Sequence, residues 1–348
     1  MPARTLTQGS ITRQLIGLTL PLLLGNLIQQ FYNTVDMMIV GQVAGETPFA
    51  AIGVAGSLMS LFTCLLIGFN MGCSILFANR FGAQDFDGLR HTLFTTGVIL
   101  AGVTVLLTGL GLVFLDTLIA LIQTPIELRA DCRVYLFWIL LGLAFTALYN
   151  LCATLLQALG KTQVTLLALA VAMVTNIGLD VLFVAVFQLS AAGAALATIL
   201  AQCLSAVVCL VYLYKTFPQL RLTRRDMVLE KRCLLQASSY GSVSALQQSS
   251  LYFGKLLVQS AVNAMGAAAV TAFTAAGCVD NLILAFGDSG IAALAVFVAQ
   301  NDGAHCDRRI TQGIRQRWRL MMGTSAVLGL LVFVLGGQAM ALLVPEGK

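Results

Sequence analysis

Apolar runs separated by short polar intervals recur along the whole chain. Most run for roughly 20 residues or more, the length a helix needs to cross a hydrocarbon core of roughly 30 Å. Marking them against their polar punctuation predicts nine spanning helices, at about 14–43, 50–78, 90–122, 127–158, 163–187, 191–215, 233–263, 267–300 and 317–343. The longest polar stretch, "KTFPQLRLTRRDMVLEKR", divides six spans from three. The pattern therefore predicts an all-α polytopic membrane protein. It has an N-terminal unit over 1–216, a linker over 217–232 and a C-terminal unit over 233–348.

The two units repeat weakly at an offset of about 221 residues. "AAIGVAG" (50–56) aligns with "TAFTAAG" (271–277), and the "FGA" of 81–83 with the "DGA" of 302–304. Each pair falls at the same place, in the second span of its unit and the loop after it. An even number of spans per repeat gives both units one orientation, with an axis along the membrane normal. At this offset Pro345 stands opposite Thr124. The second unit is thus expected to be incomplete, its equivalents of spans four to six lacking, and the chain is expected to be a fragment.

Composition and charge agree with this architecture. Of 348 residues 58% are hydrophobic and 10% charged, where a soluble domain carries about 25% charged residues. The first apolar run is too long for a signal-peptide core and lacks a small-residue cleavage site, so the first span is expected to stay in the protein. Of the 20 basic residues, 16 fall in the N-terminal tail, the 79–90 loop, the 159–162 turn, the 215–232 linker and the 301–319 segment. Those are alternate loops, so the positive-inside rule places the N-terminus in the cytoplasm. The nine cysteines are dispersed without C-x-x-C pairs and read as small apolar residues. His91 and His305 have no partners at metal-ligand spacing. "LQALGKTQ" contains Gly160, Lys161 and Thr162, but Leu155 stands where a phosphate-binding loop needs its first glycine. No Ser/His/Asp or Cys/His arrangement is present, so an enzyme is not expected, nor is a nucleic-acid partner.

Five ionisable residues fall inside predicted spans: Asp36, Asp180, Lys255, Asp280 and Asp288. A charge at that depth is costly, and marks either a functional site or a self-neutralising structural pair. Gln29, Tyr32, Asn33 and Asp36 follow helical i, i+3, i+4, i+7 spacing and make one face of span one polar. Pro21 removes a helical hydrogen bond there and permits a bend, static or hinged. In "NIGLD", Asn176 and Asp180 share one face of span five. Thr198 of span six offers a hydroxyl. Carboxylate, amide and hydroxyl oxygens suit a hard cation such as Na+, while two close carboxylates in a poorly solvated site suit H+. Lys255 either pairs with Asp280 or faces anionic cargo.

These segments resemble the MATE (multidrug and toxic compound extrusion) transporters, in their DinF-like or MepA-like bacterial branch. The resemblance rests on "LTLPLLLGNLIQQFYNTVDMMIVGQVAG", "ANRFGAQDFDGLRH", "NIGLDVLFV" and "GAALATILAQ", which agree in order and topology. It implies two six-helix lobes and alternating access, with drug export driven by entry of Na+ or H+ and no resident cofactor. By resemblance, Asp36, Asn176, Asp180 and Thr198 form the cation site, with Na+ as the possible metal ion, and Pro21 is the hinge. Gln29, Tyr32, Asn33, Asn150 and Lys255 are the substrate-cavity positions expected. The implied partners are drug-like small molecules and the lipid bilayer, for a monomer in the bacterial inner membrane. Two alternatives stay open: a flippase for a lipid-linked saccharide or other anionic lipid intermediate, and a truncated remnant that does not transport.

Overall fold

In the computed structural model, which describes residues 6–122, 124–224, 226–229, 231–263, 265 and 267–343, the predicted spans fall on helices. The elements are α1 (Ile11–Val43), α2 (Glu46–Gly82), α3 (Phe86–Val113), a short α4 (Leu115–Leu121) and α5 (Arg129–Ala158). After them come α6 (Thr162–Asp180), α7 (Ser190–Thr216), α8 (Lys231–Asn263), α9 (Ala267–Gly303) and α10 (Asp307–Leu343). Helices are the form in which such apolar runs satisfy their own backbone without water. Among the described residues, seven helical stretches are long and apolar enough to cross a membrane: α1, α2, α3, Ile126–Ala158, Thr162–Val186, α7 and the Ile283–Gly303 part of α9. α8 and α10 are equally long but more polar, and do not meet that measure over their described residues.

Two expected boundaries change. Span three is two helices, because the chain turns at Phe114, whose N–H still bonds Leu110 O at 2.9 Å. The turn lets α4 bury Leu115 and Ile119 and sets Asp116 beside Arg133 of α5, 2.9 Å away. The polar segment expected over 301–319 is mostly helix, since α10 begins at Asp307. Its residues are amphipathic: Gly313 receives the Phe297 ring and Arg317 is buried, while Arg308, Arg315 and Arg319 face outward.

The repeat is visible in the element bounds. Shifting α2 by 221 residues lands on α9 at both ends, and the start of α3 lands on the start of α10. The turns correspond as well: Gln84 has φ 57° and its repeat-mate His305 has φ 56°. Both residues take the left-handed conformation that reverses the chain between long helices.

Helices α1, α2, α3, α5, α6 and α7 pack into one bundle, and α8–α10 lie against it. The joint has approximate two-fold symmetry. α1 packs on α9 as α8 packs on α2, α1 meets α10 as α8 meets α3, and α2 meets α9. Such a joint is self-complementary. At its α2–α9 centre, a methyl group on Gly82 would overlap the backbone of Gln300, and one on Gly303 the backbone of Asn79 and Ala83. Further along α2, Gly68 and Gly72 lie against the backbone of Ala245 and Tyr240. Small residues at these crossings let the backbones touch.

Candidate functional site

The polar positions of spans one, five and six converge inside the first bundle. α1 packs on α6, and α6 on α7. Asp36 is 7% exposed, and Asn176 and Asp180 are fully buried. Asn176 Nδ2 donates to Thr198 Oγ1 over a long 3.5 Å. Asp36 and Asp180 are close enough to share a hydrogen bond when one of them carries a proton. With both ionised, neither can donate. Asp36 Oδ1, Asn176 Oδ1 and both Asp180 oxygens then have no hydrogen-bond partner. Leaving buried acceptors unpaired costs about 1–3 kcal/mol each, more when they are charged. A set of converging, unpaired oxygens from two carboxylates and an amide is the donor chemistry of a hard cation or of a shared proton.

Two features shape this cluster. Directly after Asp180 the helix widens into a π-helical turn, Val181–Val186, a form that concentrates at functional sites. Tight turns follow, with Gln188 at φ 54° and Ser190 at φ 50°, and they return the chain into α7. Tyr32 of α1 lies within hydrogen-bonding reach of Thr198 and in the electrostatic range of Asp36 and Asp180. Tyr135 of α5, buried and in the electrostatic range of Asp36, Tyr32 and Asp180, also belongs here. Nothing in the sequence singles it out, because its charged neighbour at helical spacing, Asp131, belongs to the first turn of α5 and reads as part of the helix end.

Other expected positions lie elsewhere. The polar stripe of α1 runs from buried Asp36 to half-buried Tyr32 and exposed Gln29 and Asn33, so only part of it enters the cluster. Asn150 is half-buried on α5. Pro21 is buried within α1, which continues through it from Ile11 to Val43. Lys255 is exposed on α8, outside the bundle that holds the cluster, and Asp288 is exposed on α9. The side chain of Asp280, the partner considered for Lys255, lies outside the described residues.

A multi-pass helical membrane protein with a repeated joint and a buried acidic cluster is the class defined by these features. The MatE family model matches residues 21–182 and 244–348. The chain belongs to this family of MATE transporters. It is 26% identical over 347 residues to the probable multidrug resistance protein YpnP of Bacillus subtilis, covering 99% of this chain and 77% of that one. It is 28% identical to the probable multidrug resistance protein YoeA of the same organism, covering 97% and 74%. Among solved structures, a MATE transporter in a bent conformation superposes with a TM-score of 0.92 at 21% identity, covering 99% of this chain and 77% of that one. A transporter of Pyrococcus furiosus, described as having a binding pocket of reversed polarity, superposes with a TM-score of 0.91 at 21% identity, covering 100% and 77%. At these identities the structures share the fold.

Proposed function

We propose that the protein exports cationic or amphipathic drug-like molecules in exchange for Na+ or H+, by alternating access between the two repeats. The carrying observation is the buried pair Asp36 and Asp180 with their unpaired oxygens. The names of YpnP and YoeA as probable multidrug resistance proteins support the cargo class. The coupling cation is cargo: Asp36, Asp180, Asn176 and Thr198 hold it, with Tyr32 and Tyr135 beside them. Cation entry and substrate release are linked because a cation shifts the equilibrium only by binding one arrangement of the repeats better. The exposed Gln29 and Asn33 carry the polar stripe from the cluster toward the substrate path. Pro21 gives α1 a point at which it bends.

With the N-terminus cytoplasmic and the protein in the bacterial inner membrane, the α2–α9 contact at Gly82 and Gly303 closes the cytoplasmic end. Ethidium efflux from cells expressing the chain tests the proposal, with Asp36→Asn and Asp180→Asn beside it. Export that depends on the Na+ or H+ gradient and is lost in both variants supports it. Normal export by both variants under both gradients would remove the assigned site.

The exposed Lys255 favours a second reading, a flippase for an anionic lipid intermediate. Lys255→Ala that impairs cell-envelope synthesis while leaving drug export intact would favour that reading over the first.

A further inference from the structure

The segment ahead of α1 is built into the joint between the repeats. Leu6 is 7% exposed although it precedes the first helix. Its N–H donates to Gln300 Oε1 at 2.9 Å, and Gln300 Nε2 donates to Ala158 O, the end of α5, at 2.6 Å. Gln300 is fully buried, so one side chain of α9 joins the N-terminal segment to the first bundle. The carbonyl of Leu6 accepts from Arg309 Nε at 3.2 Å and from Asn301 Nδ2 at 3.4 Å. Arg309 also donates through Nη2 to Gln14 Oε1 at 2.8 Å, and Thr12 Oγ1 donates to Gln316 Oε1 at 2.9 Å. The Leu6 side chain lies beside the α5–α6 turn at Gly160.

Every one of these bonds except Gln300–Ala158 runs from residues 6–14 to α9 or α10, and that one runs from α9 to α5. All lie at the end of the molecule where Gly82 and Gly303 meet. The repeat makes the asymmetry plain. Moving Leu6 by 221 residues reaches Met227, which is 51% exposed in the linker. On that side of the joint, where the repeat places the mate of the Leu6 seat, α2, α8 and α9 enclose a cavity of about 500 Å³ lined by Leu76, Asn79, Arg232 and Tyr240 among others. The two sides of this nearly two-fold joint are therefore tied differently: Leu6 is seated between the repeats and bonded to α9 and α10, whereas on the other side Asp226 and Gln219 of the linker are held by Arg90 of α3 and Met227 stays exposed.

We propose that Leu6–Gln14 is a latch that holds the two repeats together at this end and has to release before the end can open. The proposal rests on the alternating-access reading. Separating α9 and α10 from the first bundle strips Leu6 of the three hydrogen bonds made by its N–H and C=O and exposes its side chain, so the latch favours the joined arrangement over the open one. It is placed to set how often this end opens without touching the cation cluster.

The test uses the full chain in lipid nanodiscs, with spin labels introduced through noncanonical amino acids at Asp87 and Arg308, repeat-mates at the starts of α3 and α10. Pulsed electron paramagnetic resonance then reads the separation of the two repeats in the parent, Gln300→Ala, Arg309→Ala and a deletion of residues 2–8. The longer-distance population is expected to rise at least about fivefold in each variant, as the loss of one or two buried or charge-assisted bonds predicts. A parent that populates both distances, with variants identical to it, overturns the latch alone. A single distance shared by every chain across Na+ and pH conditions overturns the alternating-access reading and the latch with it. Thr311→Ala, which alters a helix-internal bond on the exposed face of α10, is the control expected to match the parent.

Discussion

Gly82 and Gly303 are repeat-mates that press into each other's helix ends, Gly82 against Gln300 and Gly303 against Asn79. Across this contact Asn79 Nδ2 donates to Asp302 Oδ2 at 2.8 Å. Deeper along the joint Asn26 of α1 reaches Ser289 of α9 at 3.1 Å. The repeats thus meet backbone to backbone, with hydrogen bonds beside the contact.

This closeness makes Gly82→Ala and Gly303→Ala costly. Each methyl group meets main chain that cannot swing aside, so about 1–3 kcal/mol of overpacking is expected. Thermal denaturation in detergent is expected to fall by several degrees for either variant. Gly102→Ala, whose methyl group meets open space, is expected to be neutral or slightly stabilising, since alanine is the better helix former. Equal behaviour of all three variants would remove the contact.

Under the proposed coupling, Na+ that binds the acidic cluster would stabilise the folded chain by an amount that grows with the logarithm of its concentration. Titrating NaCl against KCl at constant ionic strength is expected to raise the denaturation temperature of the parent. Asp180→Asn should abolish the rise, and Thr198→Ala should shift it to concentrations several-fold higher, as loss of one ligand oxygen predicts. If Na+ raises neither temperature but a pH titration of the parent does, the proton is the coupling ion.

Replacement of Pro21 restores an N–H to α1 and straightens its preference. Under the proposed alternating access, Pro21→Ala is expected to keep the fold and Na+ binding while slowing export about tenfold or more. Efflux kinetics together with the Na+ titration separate the two effects. Export at the parental rate would show that α1 moves without that bend.

The linker has its own pH dependence. Asp226 accepts from the Thr223 N–H at 2.8 Å and the Thr223 hydroxyl at 2.5 Å, and from Arg90 Nε at 3.0 Å. Arg90 also holds Gln219 O, at 2.9 Å, and Asp87. The Thr223 bonds, with Arg90 beside them, hold the Asp226 carboxyl down at about 2. A carboxyl depressed in the folded state supports that state fully above its unfolded pKa of about 3.9, and the support is lost as pH falls through the folded value. Amide exchange over residues 219–229, normalised to the rate of an unstructured chain, is expected to stay slow at pH 5 and rise between about pH 4 and 2. Asp226→Asn should show fast exchange already at pH 5, and a flat profile in the parent would sink the assignment.

Much of this protein was legible in the order of its residues. Apolar run length alone locates the long helices, because a backbone in hydrocarbon has no other way to satisfy its polar groups. The 221-residue offset, faint as "FGA" against "DGA", returns as matching bounds of α2 and α9. Asn176 and Asp180 share a face by helical geometry, which needs no tertiary knowledge. The turn at Phe114 is not legible, because nothing in an apolar run marks where a helix turns to pack. Nor is the start of α10, because an amphipathic basic segment reads as a loop when its buried face is set by a neighbour.

Tertiary packing decided the remainder. Asp36 and Asp180 are 144 residues apart, and only the seating of α1 on α6 sets their carboxylates together and adds Tyr135 from α5. Only the fold shows that Gly82 and Gly303 touch, and that Leu6, in a polar tail without helical pattern, is clamped by Gln300 and Arg309. The physical reason is range. Helix length and face follow from neighbours within a few residues, whereas the partner of a buried charge or an unpaired amide is set by which helices pack together.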